Sequence, residues 1–322
     1  MEITDDTKII YMDLKGWIDL AKLYYGQPTN SEKLLLERIL NAADNGRAIF
    51  PISMATLNET CKISKKRWRR ELASLMVKVS KYYSINPYIT YTLGLEVDNF
   101  IYAKLDMSLI NIRGRFVAKG FSWLMGAALE ATSEELDPKI LRDLNEKASQ
   151  QLNKPETLEY LMSKHYKNKK EDLTDLEAVK TFESIRKNQK TIKDNDIRRR
   201  VSFIQNTRAT IIPLIAERLY ELQAPLSFAN NLFKKKFDVD EFLKQFPTAL
   251  CLFTLLFQRD QQSARDIQIN DMADIWHLTL AIPYSDIVIT ERMWASIARR
   301  AKIDQVCGTI IAPSLADLHG LL

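Results

Sequence analysis

Three cysteines in 322 residues cannot build a disulfide framework. Cys61, Cys251 and Cys307 lie far apart in the chain, so a reducing, intracellular compartment is the expectation. Glycine (9) and proline (10) are scarce, which argues against long disordered or collagen-like stretches. Histidine numbers three, and His165 and His319 have no neighbour at metal-ligand spacing. The chain has no Cys-x-x-Cys, His-Glu-x-x-His, Gly-x-Ser-x-Gly or phosphate-cradling glycine loop. Zinc hydrolases, serine hydrolases and P-loop NTPases are thereby set aside. Long apolar runs are missing too. The longest, near Ala249 to Phe257, is about half of the roughly 20 residues a membrane helix needs and reads as a buried helix. The acidic opening, Met1 to Asp6, lacks the basic-then-apolar order of a signal peptide. The expectation is a cytoplasmic protein with no membrane partner.

Hydrophobic residues make up 46% and charged residues 27%, the balance of an ordinary globular protein. The length suits two domains, or one domain carrying a large insertion. Lysine and arginine (46) slightly exceed aspartate and glutamate (41), giving a net charge of +5. That excess permits a polyanionic partner without requiring one. The basic residues cluster at Lys65–Arg70, Arg198–Arg200, Lys234–Lys236, and Arg299, Arg300 and Lys302. Any one cluster reads most simply as a solvated helix face.

Two patterns alternate along the chain. Residues 8–13 and 47–52 are short β-branched runs, each followed by helical spacing of apolar residues. Ser31 and Ser53 are expected helix N-caps, and Asn45-Gly46 a helix end. From about residue 95 to 266 helical periodicity dominates, over 136–152, 175–192, 211–222 and 241–257. The charged stretch 164–172 reads as a loop or hinge. Strands return at 286–290 and 306–312, with helices over 271–282 and 293–301. The sequence therefore predicts an α/β core made of residues 1–90 and 266–322, built on a parallel sheet flanked by helices. A large all-helical insertion of residues 91–265 interrupts it. Self-association is left open.

Acids mark the ends of strands and the starts of helices. Asp13 ends the first strand, and Glu59 lies on the helix after the second. Asp271 and Asp274, three residues apart, share a helix face. Asp286 opens the third strand and Glu291 follows it. Ligands of open parallel sheets bind outside the carboxyl ends of the strands, where Asp13 and Glu291 are expected. Carboxylates converging there repel one another unless a cation neutralises them, and Mg²⁺ or Mn²⁺ suits such oxygen donors. Each acid taken alone also reads as a cap or surface residue. His277 reads as a buried histidine beside the acids rather than a ligand. Tyr82, Tyr83, Tyr88 and Tyr91 read as core aromatics ahead of base-stacking ones.

The opening Ile9-Ile10-Tyr11-Met12-Asp13-Leu14-Lys15-Gly16-Trp17-Ile18, the Glu59 helix, and Asp271 to Trp294 resemble the PIN-like nuclease superfamily. The likeness covers about residues 1–90 and 266–322. It implies a PIN-like fold and a site that binds Mg²⁺ or Mn²⁺ and cuts RNA, sometimes DNA. Asp13 matches the family's first Asp and Glu59 its Glu. Asp274 matches the Asp of its late helix, with Asp271 as the alternative. Pro283 to Glu291 resembles the late strand that carries the fourth acid. The family's usual Asn two residues after the first Asp is Lys15 here. Its Thr-x-Asp reads Thr290-Glu291-Arg292, so the fourth acid is either Glu291 or Asp286.

The leading expectation is a metal-dependent nuclease, an endoribonuclease in the first instance, with RNA ahead of DNA as substrate. Asp13, Glu59 and Asp274 would hold the metal, and Asp271, Asp286 or Glu291 would assist. Lys66, Arg67, Arg69 and Arg70 would grip phosphates on a helix continuous with that of Glu59, while Trp68 turns inward. The competing expectations are a catalytically degenerate PIN-like scaffold that binds RNA or protein, and a small-molecule phosphohydrolase on the same acidic edge.

Overall fold

A computed structural model describes residues 6–126, 132, 137–165, 191–224, 238–262 and 268–322. Residues 166–172 of the charged stretch, residues 175–190 of an expected helix and the Lys234–Lys236 cluster lie outside the described residues. Strand β1 (Lys8–Met12) leads into helix α1 (Leu14–Tyr25), then α2 (Asn30–Asp44), β2 (Ala48–Ile49), α3 (Met54–Lys62) and α4 (Lys66–Ser80). Next come β3 (Tyr83–Ile85), α5 (Ile89–Lys104), α6 (Ile112–Phe116), β4 (Val117–Lys119) and α7 (Phe121–Met125). Four helices follow: α8 (Pro138–Leu152), α9 (Pro155–Ser163), α10 (Asn195–Glu221) and α11 (Val239–Leu243). The last stretch carries α12 (Pro247–Asp260), α13 (Ile269–Tyr284), β5 (Ile287–Ile289), α14 (Arg292–Arg300), α15 (Ile303–Cys307) and β6 (Ile310–Ala312). A 3-10 turn, Leu315–Gly320, closes it.

The four-stranded sheet is parallel throughout, in the order β2-β1-β5-β6. Ile10, Tyr11 and Met12 lie opposite Ile287, Val288 and Ile289. Beyond β2 the chain makes one further parallel bridge: Ile52 N–H donates to the Tyr83 carbonyl at 2.9 Å, and Ile85 N–H to the Ile52 carbonyl at 3.0 Å. That bridge ties on the antiparallel pair β3–β4.

Both sheet faces are covered, and the pleat sorts the side chains. Ile10, Met12, Ile287 and Ile289 point to a core shared with α1, α2, α3, α4 and α9. Ile9, Tyr11, Val288 and Ile311 point to a second core, shared with α12, α13 and α14. This is the alternation a strand dictates. A third core, including Phe100, Ile211, Phe246 and Phe253, joins α5, α10, α11 and α12. Helices from the middle of the chain thus enter every core. Leu158 and Met162 of α9 pack in the first, and Cys251 and Leu255 of α12 in the second.

Several local expectations change. Thr29, not Ser31, caps α2, through a capping box with Glu32. Ser53 caps α3 as expected. The strand foreseen over 306–312 is only Ile310–Ala312, because Val306 belongs to α15 and Gly308 takes the left-handed turn between them. The three-residue strand β4 lies inside the stretch expected to be helical. Pro247, at the first position of α12, separates it from α11 where one helix was foreseen. Among the described residues no helix is long and apolar enough to cross a membrane.

Candidate functional site

The strand order changes direction at β1. The chain leaves it toward β2 on one side and later returns to β5 on the other. In open α/β sheets the crevice outside the carboxyl ends of two such strands is the ligand site. Asp13 and Glu291 stand there. The Asp13 N–H donates to the Ile289 carbonyl at 3.0 Å, and its side chain caps α1 by accepting from Gly16 N at 2.9 Å. Gly16 fits that turn because it is small: a Cβ there would lie 3.1 Å from Met12 Cβ and 3.3 Å from Ile289 Cγ2. The Thr290 hydroxyl faces the Asp13 carboxylate and lowers its pKa. Glu291 is the exposed N-cap of α14.

Glu59 of α3 and Asp274 of α13 complete the group. The four acids interact mutually. Asp13 is pushed up to about 6, first by burial and then by the charge of Glu291, which Gly16 and Thr290 offset in part. Glu59 is pushed up to about 7 by burial and by the charges of Asp274, Asp13 and Glu291. Asp274 rises to about 6 from burial, with repulsion from Glu291 and Asp13 added. Trp294, itself buried, donates its indole N–H to Asp274 Oδ2 at 2.8 Å and fixes that carboxylate. The sequence reading missed Trp294 and Thr290 as partners of the site. Their signal was their position, at and just beyond the end of a strand next to a candidate acid.

His277, one turn beyond Asp274, is buried, with Nε2 3.9 Å from Asp274 Oδ1. Burial lowers its pKa to about 4, so it is neutral at pH 7 and supplies no counter-charge. Beneath the acids lies a chain of hydroxyls: Tyr11 Oη to Ser53 Oγ at 3.0 Å, and Ser53 Oγ to Thr56 Oγ1 at 2.7 Å. Burial drives the Tyr11 phenol far above its ordinary value, so it stays protonated.

The remaining candidates lie elsewhere. Asp271 is 1% exposed and paired with the fully buried Arg259, Nη2 to Oδ2 at 2.8 Å. It also accepts from Gln268 N at 2.8 Å, so it belongs to the capping box that starts α13. Asp286 sits before β5, at the amino edge of the sheet, and pairs with Arg113 at 2.6 Å. It also accepts from Ile9 N at 2.7 Å. Partial burial alone would raise its pKa, but Arg113 and the Ile9 N–H hold it below the ordinary value. Of the two candidates for the fourth acid, only Glu291 is at the cluster.

The basic helix also differs from expectation. The chain breaks at Ile63–Lys65, so Glu59 and the cluster lie on separate helices, α3 and α4. Arg69 is 5% exposed and donates to the backbone carbonyls of Ile63 and Ser163, the latter at 2.7 Å. Trp68, expected inside, is 60% exposed. Arg67 pairs with Glu71 at 2.7 Å, and Lys66 and Arg70 are exposed.

Among the described residues no three His, Cys, Asp or Glu side chains form a group that would hold a metal ion as they stand. The chemistry of the donors nonetheless fits a hard divalent cation. They are four carboxylates on one sheet edge, three of them raised in pKa by burial and by one another's charge. No protein-family model matches the chain, and neither does a curated protein or a solved structure.

Proposed function

We propose that the protein is a metal-dependent nuclease that hydrolyses phosphodiesters, with RNA the first substrate to test. One observation carries this reading: Asp13, Glu59, Asp274 and Glu291, from four separate elements, interact at the switch point of a parallel sheet. Such an arrangement costs free energy unless a cation and its substrate use it. The resemblance of the same stretches to PIN-like nucleases points the same way.

Asp13, Glu59 and Asp274 would hold Mg²⁺ or Mn²⁺. When bound, the ion would supply Lewis-acid stabilisation of phosphoryl oxygens and lower the pKa of water. The protein's own residues have distinct parts. The Gly16 N–H fixes the Asp13 carboxylate, and the Trp294 indole fixes that of Asp274. Glu291, exposed at the rim, orients water and accepts its proton at a carboxylate oxygen. Neutral His277 and the Tyr11–Ser53–Thr56 hydroxyls close the floor without adding charge.

The test is incubation of labelled RNA and DNA with and without Mn²⁺, beside Asp13→Asn and Asp274→Asn. Metal-dependent cleavage that drops at least a hundredfold in both variants supports the reading. Cleavage that persists in both, or none by the wild type on either polymer, sinks it.

A further inference from the structure

A groove of about 670 Å³ runs between α1 and α4. Its floor includes Ile18, Ile63 and Leu72, and Tyr25 and Trp68 line it. It is built on elements that also carry two of the acids, α1 capped by Asp13 and α3 with Glu59. Ile18 is five residues along α1 from Asp13, about 7.5 Å of helix, and Ile63 follows Glu59 by four residues, about 6 Å.

Two large aromatics stay exposed here, Trp68 at 60% and Tyr25 at 44%. Both are held. Tyr25 meets Tyr24 edge-on with centroids 4.8 Å apart, and Lys65 Nζ lies 4.3 Å from the Trp68 ring centroid. The charge around them is positive. Arg67 is engaged by Glu71, and Lys22 by Asp19. Lys65 stands over the Trp68 ring, Lys22 and Arg67 line the groove, and Lys62, next to Ile63, is exposed. Aromatic faces with cations alongside form a platform for single-stranded nucleic acid: bases stack on the rings and phosphates meet the ammonium and guanidinium groups. A duplex offers no free base faces to such rings.

From this we infer that the α1–α4 groove binds the single strand flanking the scissile phosphodiester, with at least one base stacked on Trp68 and Tyr25 beside it. The inference rests on the nuclease reading for what happens at the acids, but its own test is binding. Affinity is measured by fluorescence anisotropy in EDTA, so that no cleavage intervenes. The probes are a labelled 12-residue oligouridine and an abasic 12-mer with the same phosphates. The wild type should bind the base-bearing strand about tenfold or more tightly than the abasic one, the scale of one base–aromatic stack. Trp68→Ala and Tyr25→Ala should lose most of that preference, and Trp68→Phe should keep it. The salt dependence of Trp68→Ala should match the wild type, whereas Lys65→Ala with Arg67→Ala should flatten it. Both aromatics are exposed, so their variants should fold, which near-ultraviolet circular dichroism checks. Equal binding of the two probes by the wild type, or unchanged binding by Trp68→Ala, overturns the inference and leaves the groove to a protein partner. Base-preferring binding without cleavage in Mn²⁺ would leave the groove standing and remove the nuclease reading. Cleavage with binding unaffected by the groove variants would do the reverse.

Discussion

Glu59 is in effect a pH probe of its own neighbourhood. Its folded pKa, about 7, lies above the ordinary 4.5. Below pH 4.5 it is protonated in both the folded and unfolded states and costs nothing. As pH rises toward 7, the unfolded chain ionises first and the folded state loses stability. The shift corresponds to about 3 kcal/mol at most. Asp13 and Asp274 carry shifts of the same sign, and because the groups interact their costs do not simply add. Glu59→Gln should therefore raise the melting temperature at pH 8 and leave it unchanged at pH 4. Thermal melts at the two values check this, and equal effects at both would show that the repulsion is not the cause. The same reasoning predicts a cation effect. Mn²⁺ should raise the wild-type melting temperature at pH 8, where the acids are ionised, and not at pH 4. Added EDTA should reverse the rise.

At the scale of elements, two buried guanidiniums hold helices in place. Arg69 bridges the end of α3 to the end of α9 through the carbonyls of Ile63 and Ser163. Arg69→Ala would leave those carbonyls short of a donor and should cost about 2–4 kcal/mol. Arg70→Ala, on the exposed face, should stay within about 0.5 kcal/mol. Urea melts of the two variants distinguish a structural arginine from a surface one. Arg259 and Asp271 join α12 to the start of α13, and Asp271→Asn should cost about 3 kcal/mol because it takes one charge out of a buried ion pair. The sequence held part of this information. Arg69 falls three and four residues before Leu72 and Ala73, on the apolar stripe that continues through Met76 and Val79, so periodicity assigns it inward and leaves Trp68 outside. The break at Ile63–Lys65 had no such signal, since neither glycine nor proline marks it. Asp271 is buried because Arg259 lies opposite it, a tertiary contact that spacing along one helix does not reveal. Asp13 and Glu291 were legible because each follows a strand end, and strands with β-branched runs are easily read; Glu59 and Asp274, inside helices, were picked out by the resemblance of those helices.

The molecule as a whole depends on its middle. Leu158 and Met162 fill the core on one face of the sheet, and Cys251 and Leu255 that on the other. Periodicity showed these segments to be helical but not where they pack, which is why they read as a separable insertion. Replacing residues 91–265 by a short linker should therefore give a protein without fixed packing. Loss of the near-ultraviolet dichroism would show it, and a cooperative melt by the shortened protein would refute it.

The central pairing also sets a schedule. Strand β1 is read early from the message, yet its neighbour β5 emerges only after residue 287, at synthesis rates of 5–20 residues per second roughly 15–60 s later. Until then Asp13 has neither the Ile289 carbonyl that receives its N–H nor Asp274 and Glu291 beside it. A growing chain therefore carries only half of the acidic edge, Asp13 and Glu59, until residues 274–291 have been made.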